Sequence, residues 1–161
     1  MASLKSYHVG VAAEACAASL FARAGYDVLT AKISVKGSQD GGWVLVVRDK
    51  RPDRNYHQAI DAWVKAQEDR QALYCFVQFK DVKFEQMPRV YLARMSEVVE
   101  YLKASCGGHG ETSVREHYVW ARGKAAGTTD DIPASWKMTE ERIAELLGPP
   151  ETAQQAVRAG R

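Results

Sequence analysis

The stretch Lys32-Ile33-Ser34-Val35-Lys36-Gly37-Ser38 decides the fold. Its first five residues alternate, with Ile33 and Val35 apolar and Lys32, Ser34 and Lys36 polar, the pattern of a β-strand whose two faces meet different surroundings. Residues 37–42 read as a turn, and Trp43-Val44-Leu45-Val46-Val47 as a further strand running into the polar loop 48–55. Residues 57–70 then carry Ile60, Trp63 and Val64 on one helical face, with Asp61, Lys65, Glu68 and Asp69 elsewhere. That is the pattern of an amphipathic helix laid over a sheet. Residues 72–79 form the most β-like segment of the chain. A strand, a covering helix and a strong strand in that order predict a layered α/β domain.

Working outward, Val9, Ala13, Ala17, Leu20 and Ala24 recur at helical spacing ahead of Gly25, so residues 9–24 are expected to be a helix. Residues 26–30 are expected to form a short strand. On the other side, Val90-Tyr91-Leu92-Ala93 predicts a strand, followed by a helix capped by Ser96 with Glu97 in its first turn. Residues 106–112 are a glycine-rich loop, and Thr139 with Glu140 and Glu141 opens a last helix that stops near Gly148-Pro149-Pro150. The expectation is one α/β domain over residues 1–147, with a central mixed sheet flanked by helices, a helical extension, and a mobile tail over 148–161.

With 161 residues, 46% of them hydrophobic and 26% charged, the chain has the composition of a globular protein with a core. No apolar run nears the roughly 20 residues that span a bilayer, and residues 1–5 lead into a helix pattern instead of a signal peptide, which predicts a cytoplasmic protein with no membrane partner. Cys16, Cys75 and Cys106 fall in a helix-like, a strand-like and a loop-like stretch and are expected to be free thiols. A net charge of +2 permits nucleic-acid binding without making it the default.

Three local signatures carry a resemblance: Gly10-Val11-Ala12-Ala13-Glu14 running into Ala24-Gly25-Tyr26-Asp27-Val28, the strand Ile33-Ser34-Val35-Lys36-Gly37-Ser38, and Cys75-Phe76-Val77-Gln78-Phe79 with Pro88-Arg89-Val90-Tyr91-Leu92 and the helix behind them. Over residues 7–104 the chain resembles the PD-(D/E)XK, restriction-endonuclease-like nucleases, in particular bacterial members of uncharacterised role. The resemblance implies a restriction-endonuclease-like core and a Mg2+-dependent phosphodiesterase ancestry. In such a site carboxylates hold a cation that activates water, and a lysine steadies the developing charge on phosphate. It assigns the helix acid to Glu14 and the motif lysine to Lys36, with Ser34 where a carboxylate or glutamine is usual. The family's aspartate-bearing strand has only Leu29, Thr30 and Ala31 in its interval, so that strand is missing: either the chain is naturally truncated and inactive, or a segment present in relatives has been deleted, or Asp27 or Asp40 serves as a displaced ligand.

Other features are weighed beside these. Gln78-Phe79-Lys80 repeats the spacing of the lysine motif on the strongest strand and is the rival placement. Arg48, Lys50, Arg51 and Arg54 form a basic loop that could follow a DNA backbone, diluted by Asp49 and Asp53. Cys106, His109 and His117 lack a fourth ligand and the paired spacing of a zinc site, so no structural zinc is expected. Trp43 and Trp63 sit in apolar patterns and are expected in the core. Two functions follow: a degenerate divalent-metal-dependent nuclease that acts on or binds DNA, or a non-catalytic interaction module that forms a homodimer through an exposed sheet edge.

Overall fold

The computed structural model describes residues 2–27, 32–47, 51–67, 72–150 and 158–160. Its elements run α1 (Ala2–Arg23), β1 (Ile33–Ser38), β2 (Gly42–Val44), α2 (Tyr56–Ala66), β3 (Leu73–Gln78), β4 (Arg89–Arg94), α3 (Met95–Ala104), β5 (Ser113–Arg115), β6 (His117–Val119), β7 (Thr129–Asp131), a 3-10 turn (Ala134–Trp136) and α4 (Glu140–Leu147). The architecture is α/β, with a small mixed sheet in the order β1-β3-β4 and two minor two-stranded sheets, β2-β5 and β6-β7. β1 lies parallel to β3, as a connection through α2 permits, and β4 folds back antiparallel.

Because strand side chains alternate, the central sheet has two faces with different partners. Leu73, Cys75, Val77, Val90 and Leu92 pack with Ala13, Ala17 and Phe21 of α1 and Ile143 of α4, with Ile33 and Val35 at the margin. Tyr74, Phe76 and Ala93 pack on the opposite face with Ile60 and Trp63 of α2, Val98 and Leu102 of α3, and Trp43. Trp43 and Trp63 are therefore core residues, as their apolar settings imply. β3 lies between two helical layers, so all six of its residues are buried, and the near-continuous apolar run 72–79 is the sequence trace of that position.

The helices start and stop for local reasons. The Asn55 side chain accepts the Gln58 amide at 2.8 Å, and the Gln58 side chain accepts the Asn55 amide at 2.9 Å, a reciprocal cap that opens α2. Thr139 caps α4 by accepting the Arg142 amide at 3.1 Å, as expected, and Gly148 ends it. The cap expected at Ser96 is not the one used. The α3 helix starts at Met95, and the Glu97 carboxylate accepts the Arg94 amide at 2.7 Å, so an acid inside the first turn does the capping.

Several boundaries differ from expectation: α1 begins at Ala2 instead of Val9, and α2 ends at Ala66. Strand β1 continues through Gly37 and Ser38, which leaves the turn to Gln39, Asp40 and Gly41, where Gly41 has φ of +93°. The strand expected over 43–47 ends at Val44, because the amides of Leu45 and Val46 both turn to the Thr112 carbonyl. Tyr26 and Asp27 are not strand, and the rest of the strand expected over 26–30 lies outside the described residues, as do residues 68–70 of the second helix, the basic residues Arg48 and Lys50, and residues 151–157 and 161 of the expected tail. No helix among the described residues is long and apolar enough to cross a membrane.

Gly37 is the closest approach between α1 and the sheet. A methyl group there would stand 2.8 Å from both the Ala13 Cβ and the Val9 carbonyl oxygen, closer than such atoms can sit. Gly37→Ala is therefore expected to lower stability by about 1–3 kcal/mol despite alanine's lower backbone entropy, because a helix must shift to admit it. Thermal melting of the variant checks this, and an unchanged midpoint would mean that α1 sits farther from β1.

Candidate functional site: a groove along the edge of β1

A groove of about 400 Å³ runs along the edge of β1. The N-terminal half of α1 contributes Ser6, Val9 and Gly10, β1 and its turn contribute Val35, Lys36, Gly37, Ser38, Gln39 and Asp40, and β2 contributes Gly42, Trp43 and Val44. The position follows from the sheet order. β1 pairs with β3 on one side, and no described residue pairs with its other edge.

The direction of the β1 backbone groups follows from the bonds at its two ends. The Lys32 carbonyl accepts the Leu73 amide at 3.2 Å, and the Ser38 carbonyl accepts the Phe79 amide at 2.8 Å. In a strand the N–H and C=O of one residue point to the same neighbour and alternate along the chain. Even-numbered residues thus face β3, while Ile33, Val35 and Gly37 turn their amides and carbonyls outward. Val35 and Gly37 both line the groove.

Among the residues singled out from the sequence, the groove gathers Lys36 and Asp40. Lys36 is exposed. Asp40 is committed to its own turn: it accepts the Ser38 hydroxyl at 2.8 Å and the Gly42 amide at 3.3 Å, an arrangement that favours aspartate before paired glycines. Ser34 is half-buried on the same strand face as Lys36 but does not line the groove. Glu14 is exposed on α1, one turn beyond Gly10 and outside the lining. Alternation puts Lys36 and Ser34 on the face of β1 opposite to Val35 and Gly37, which turn toward α1. Asp27 follows the turn after α1, and Arg51 and Arg54 precede α2; all three lie outside the lining.

Among the described residues, no three His, Cys, Asp or Glu side chains are placed to share a metal ion. The lining of the groove holds one carboxylate, Asp40, whose Oδ1 is bonded within its own turn. The rival motif lies elsewhere. Gln78 is fully buried, its side-chain oxygen accepts the Lys80 amide at 3.0 Å, and neither Gln78 nor Lys80 lines the groove.

The three cysteines are free thiols, and burial shifts each of them upward, Cys75 to about 12 with the Cys16 thiol as a second cause. A network missed by sequence reasoning lies at the far end of β4. Glu116 accepts the Arg89 guanidinium through both oxygens at 2.8 and 2.9 Å and the Tyr91 hydroxyl at 2.7 Å. Burial works to raise the Glu116 carboxyl, but the bonds from Arg89 and Tyr91 outweigh it and hold the group below its usual range. All three side chains are engaged with one another, so the network reads as a structural tie between β4 and the β5–β6 turn. Nothing local in the sequence pairs Arg89 with Glu116.

No family model matches the chain, and no curated protein or solved structure matches it.

Proposed function

We propose that the protein is a non-catalytic interaction module of PD-(D/E)XK-like architecture that takes an extended protein segment onto the edge of β1. The observation that carries this reading is the outward direction of the Val35 and Gly37 backbone groups into the groove, since an added strand gains its affinity from such groups. The surroundings agree with a protein partner. Val44 is exposed within the lining, Val47 is exposed just beyond β2, and Tyr7 and Val11 are exposed on the stretch of α1 that supplies Ser6 and Gly10. Exposed apolar side chains on the elements that form the groove suit a protein contact. Lys36 and Asp40 give the groove one charge of each sign, and a phosphate backbone would call for an excess of positive charge.

A capped peptide with the sequence of residues 32–38, KISVKGS, is a direct probe. It should shift the NMR signals of the Val35 and Gly37 amides in the wild-type chain and leave the Gly37 amide of Val35→Pro unmoved, because proline removes an outward donor without touching the ladder to β3. Absence of any shift at these amides removes the reading.

Lys36 in the lining favours a second reading, a degenerate nuclease that holds DNA through that lysine. On this reading DNA binding weakens as salt rises and Lys36→Ala weakens it further. Binding and cleavage assays on duplex and single-stranded DNA, with and without Mg2+, test it; equal behaviour of wild type and Lys36→Ala sets it aside.

A further inference from the structure

Resting on the edge-pairing reading, we infer that the segment received by β1 is β1 of a second copy, paired antiparallel about a two-fold axis through Val35. The sequence of the strand selects both orientation and register. Two identical edges that pair antiparallel close into a dimer, whereas parallel pairing of the same edge is not two-fold and leaves the association open-ended. In an antiparallel pair, residues directly opposite each other are both outward-facing or both inward-facing, so the opposed residue numbers sum to an even value. Only three such sums keep most of residues 32–38 paired.

A sum of 72 sets Lys36 directly against Lys36 of the second copy. A sum of 68 sets Lys32 against Lys36. Both bring like charges to a separation of about 4.5 Å between Cα atoms, which destabilises the pair. A sum of 70 avoids both. It opposes Val35 with Val35, Ile33 with Gly37, Ser34 with Lys36, and Lys32 with Ser38, and it engages every outward-facing residue of the strand. The Ser38 hydroxyl is bonded to the Asp40 carboxylate, so this register also brings each Lys32 beside an acid of the second copy. On the other face, Ile33 and Val35 already extend the core under α1, and their counterparts continue that apolar row across the axis. The edge is thus complementary to itself in one register, and joining two edges leaves neither open to further strands.

Cysteine substitution reads the register. Ser34 and Lys36 of opposite copies would have Cα atoms about 4.5 Å apart, within the span of a disulfide. The double variant Ser34→Cys with Lys36→Cys should form a covalent dimer under mild oxidation beyond any wild-type background. Neither single variant should, because its own cysteines would stand beyond the roughly 7 Å limit. Light scattering across a dilution series should show a dimer for the wild type and a monomer for Val35→Pro; should that substitution unfold the chain, the cysteine pattern still decides. A wild-type monomer at every concentration overturns the inference. So does a covalent dimer from Lys36→Cys alone or Ser34→Cys alone, which marks another register, and so does a dimer that a folded Val35→Pro variant retains. If the chain is monomeric yet binds the KISVKGS peptide, the second copy is the wrong occupant and the edge-pairing reading stands; if it does neither, both fall.

Discussion

Phe76→Ala is expected to lower the unfolding free energy by about 3–5 kcal/mol, the largest single-residue loss expected for this chain. Phe76 is fully buried at the middle of the central strand. Its ring is stacked with those of Tyr74 and Trp136 at centroid separations of 5.9 and 6.3 Å, and it meets Trp43 at 5.1 Å in a tilted contact. Trp43 and Trp136 come from other parts of the chain and Tyr74 is fixed on the same strand, so they cannot all collapse onto the space a truncated ring leaves. A domain of this size has about 5–15 kcal/mol of stability in total, which makes the loss a large fraction of it. Urea unfolding followed by tryptophan fluorescence measures the change. Phe76→Leu should recover part of it, and a loss under about 1 kcal/mol for the alanine variant contradicts the packing described.

The second large effect belongs to Arg142. Its guanidinium is buried and donates to the Leu92 carbonyl at 3.0 Å, to Glu97 at 2.8 Å and to Glu145 at 3.2 Å. The bond to Glu145 matters least, because that carboxylate is exposed. The other two matter more. Arg142→Met keeps much of the buried volume but strips the Leu92 carbonyl of a donor and takes the cation from Glu97, whose carboxylate also caps α3 at Arg94. Removing one member of a buried pair costs about 3–5 kcal/mol; with Glu97 about a quarter exposed, about 2–3 kcal/mol is expected. Replacing Glu97 with Gln in the same background should cost less than it does alone, since its partner is already gone. A double-mutant cycle in urea measures this coupling, and additive losses would show that Arg142 and Glu97 act separately.

These two residues also mark what the sequence discloses and what it withholds. Phe76 lies in a run so apolar that a buried strand is its natural reading, and the stripes Val9-Ala13-Ala17 and Ile60-Trp63 declare their helices by spacing alone. Arg142 carries no such sign, because an arginine in the first turn of a charged helix looks like a surface residue until the strand beneath it is known. The short strands β5, β6 and β7, three residues each, carry no period to detect and exist through distant partners such as Trp43 opposite Val114 and Tyr118 opposite Asp130. At the groove, the alternation of β1 is legible and puts Lys36 on a polar face. Whether its edge is covered depends on which strand lies beside it, a property of the whole sheet that no window of sequence contains.

The mixed sheet also sets the order in which the molecule can assemble. β3 and β4 are joined by a short connection and run antiparallel, so their ladder closes a small loop, and α3 follows directly from β4. The β1–β3 ladder instead closes a larger loop through the intervening β2 and α2, and so is expected to form after the β3–β4 ladder. Until that late docking, Phe76 and Val77 would keep one flank of their strand unprotected, and the newly synthesised chain would carry a temporary adhesive seam beside its most apolar segment.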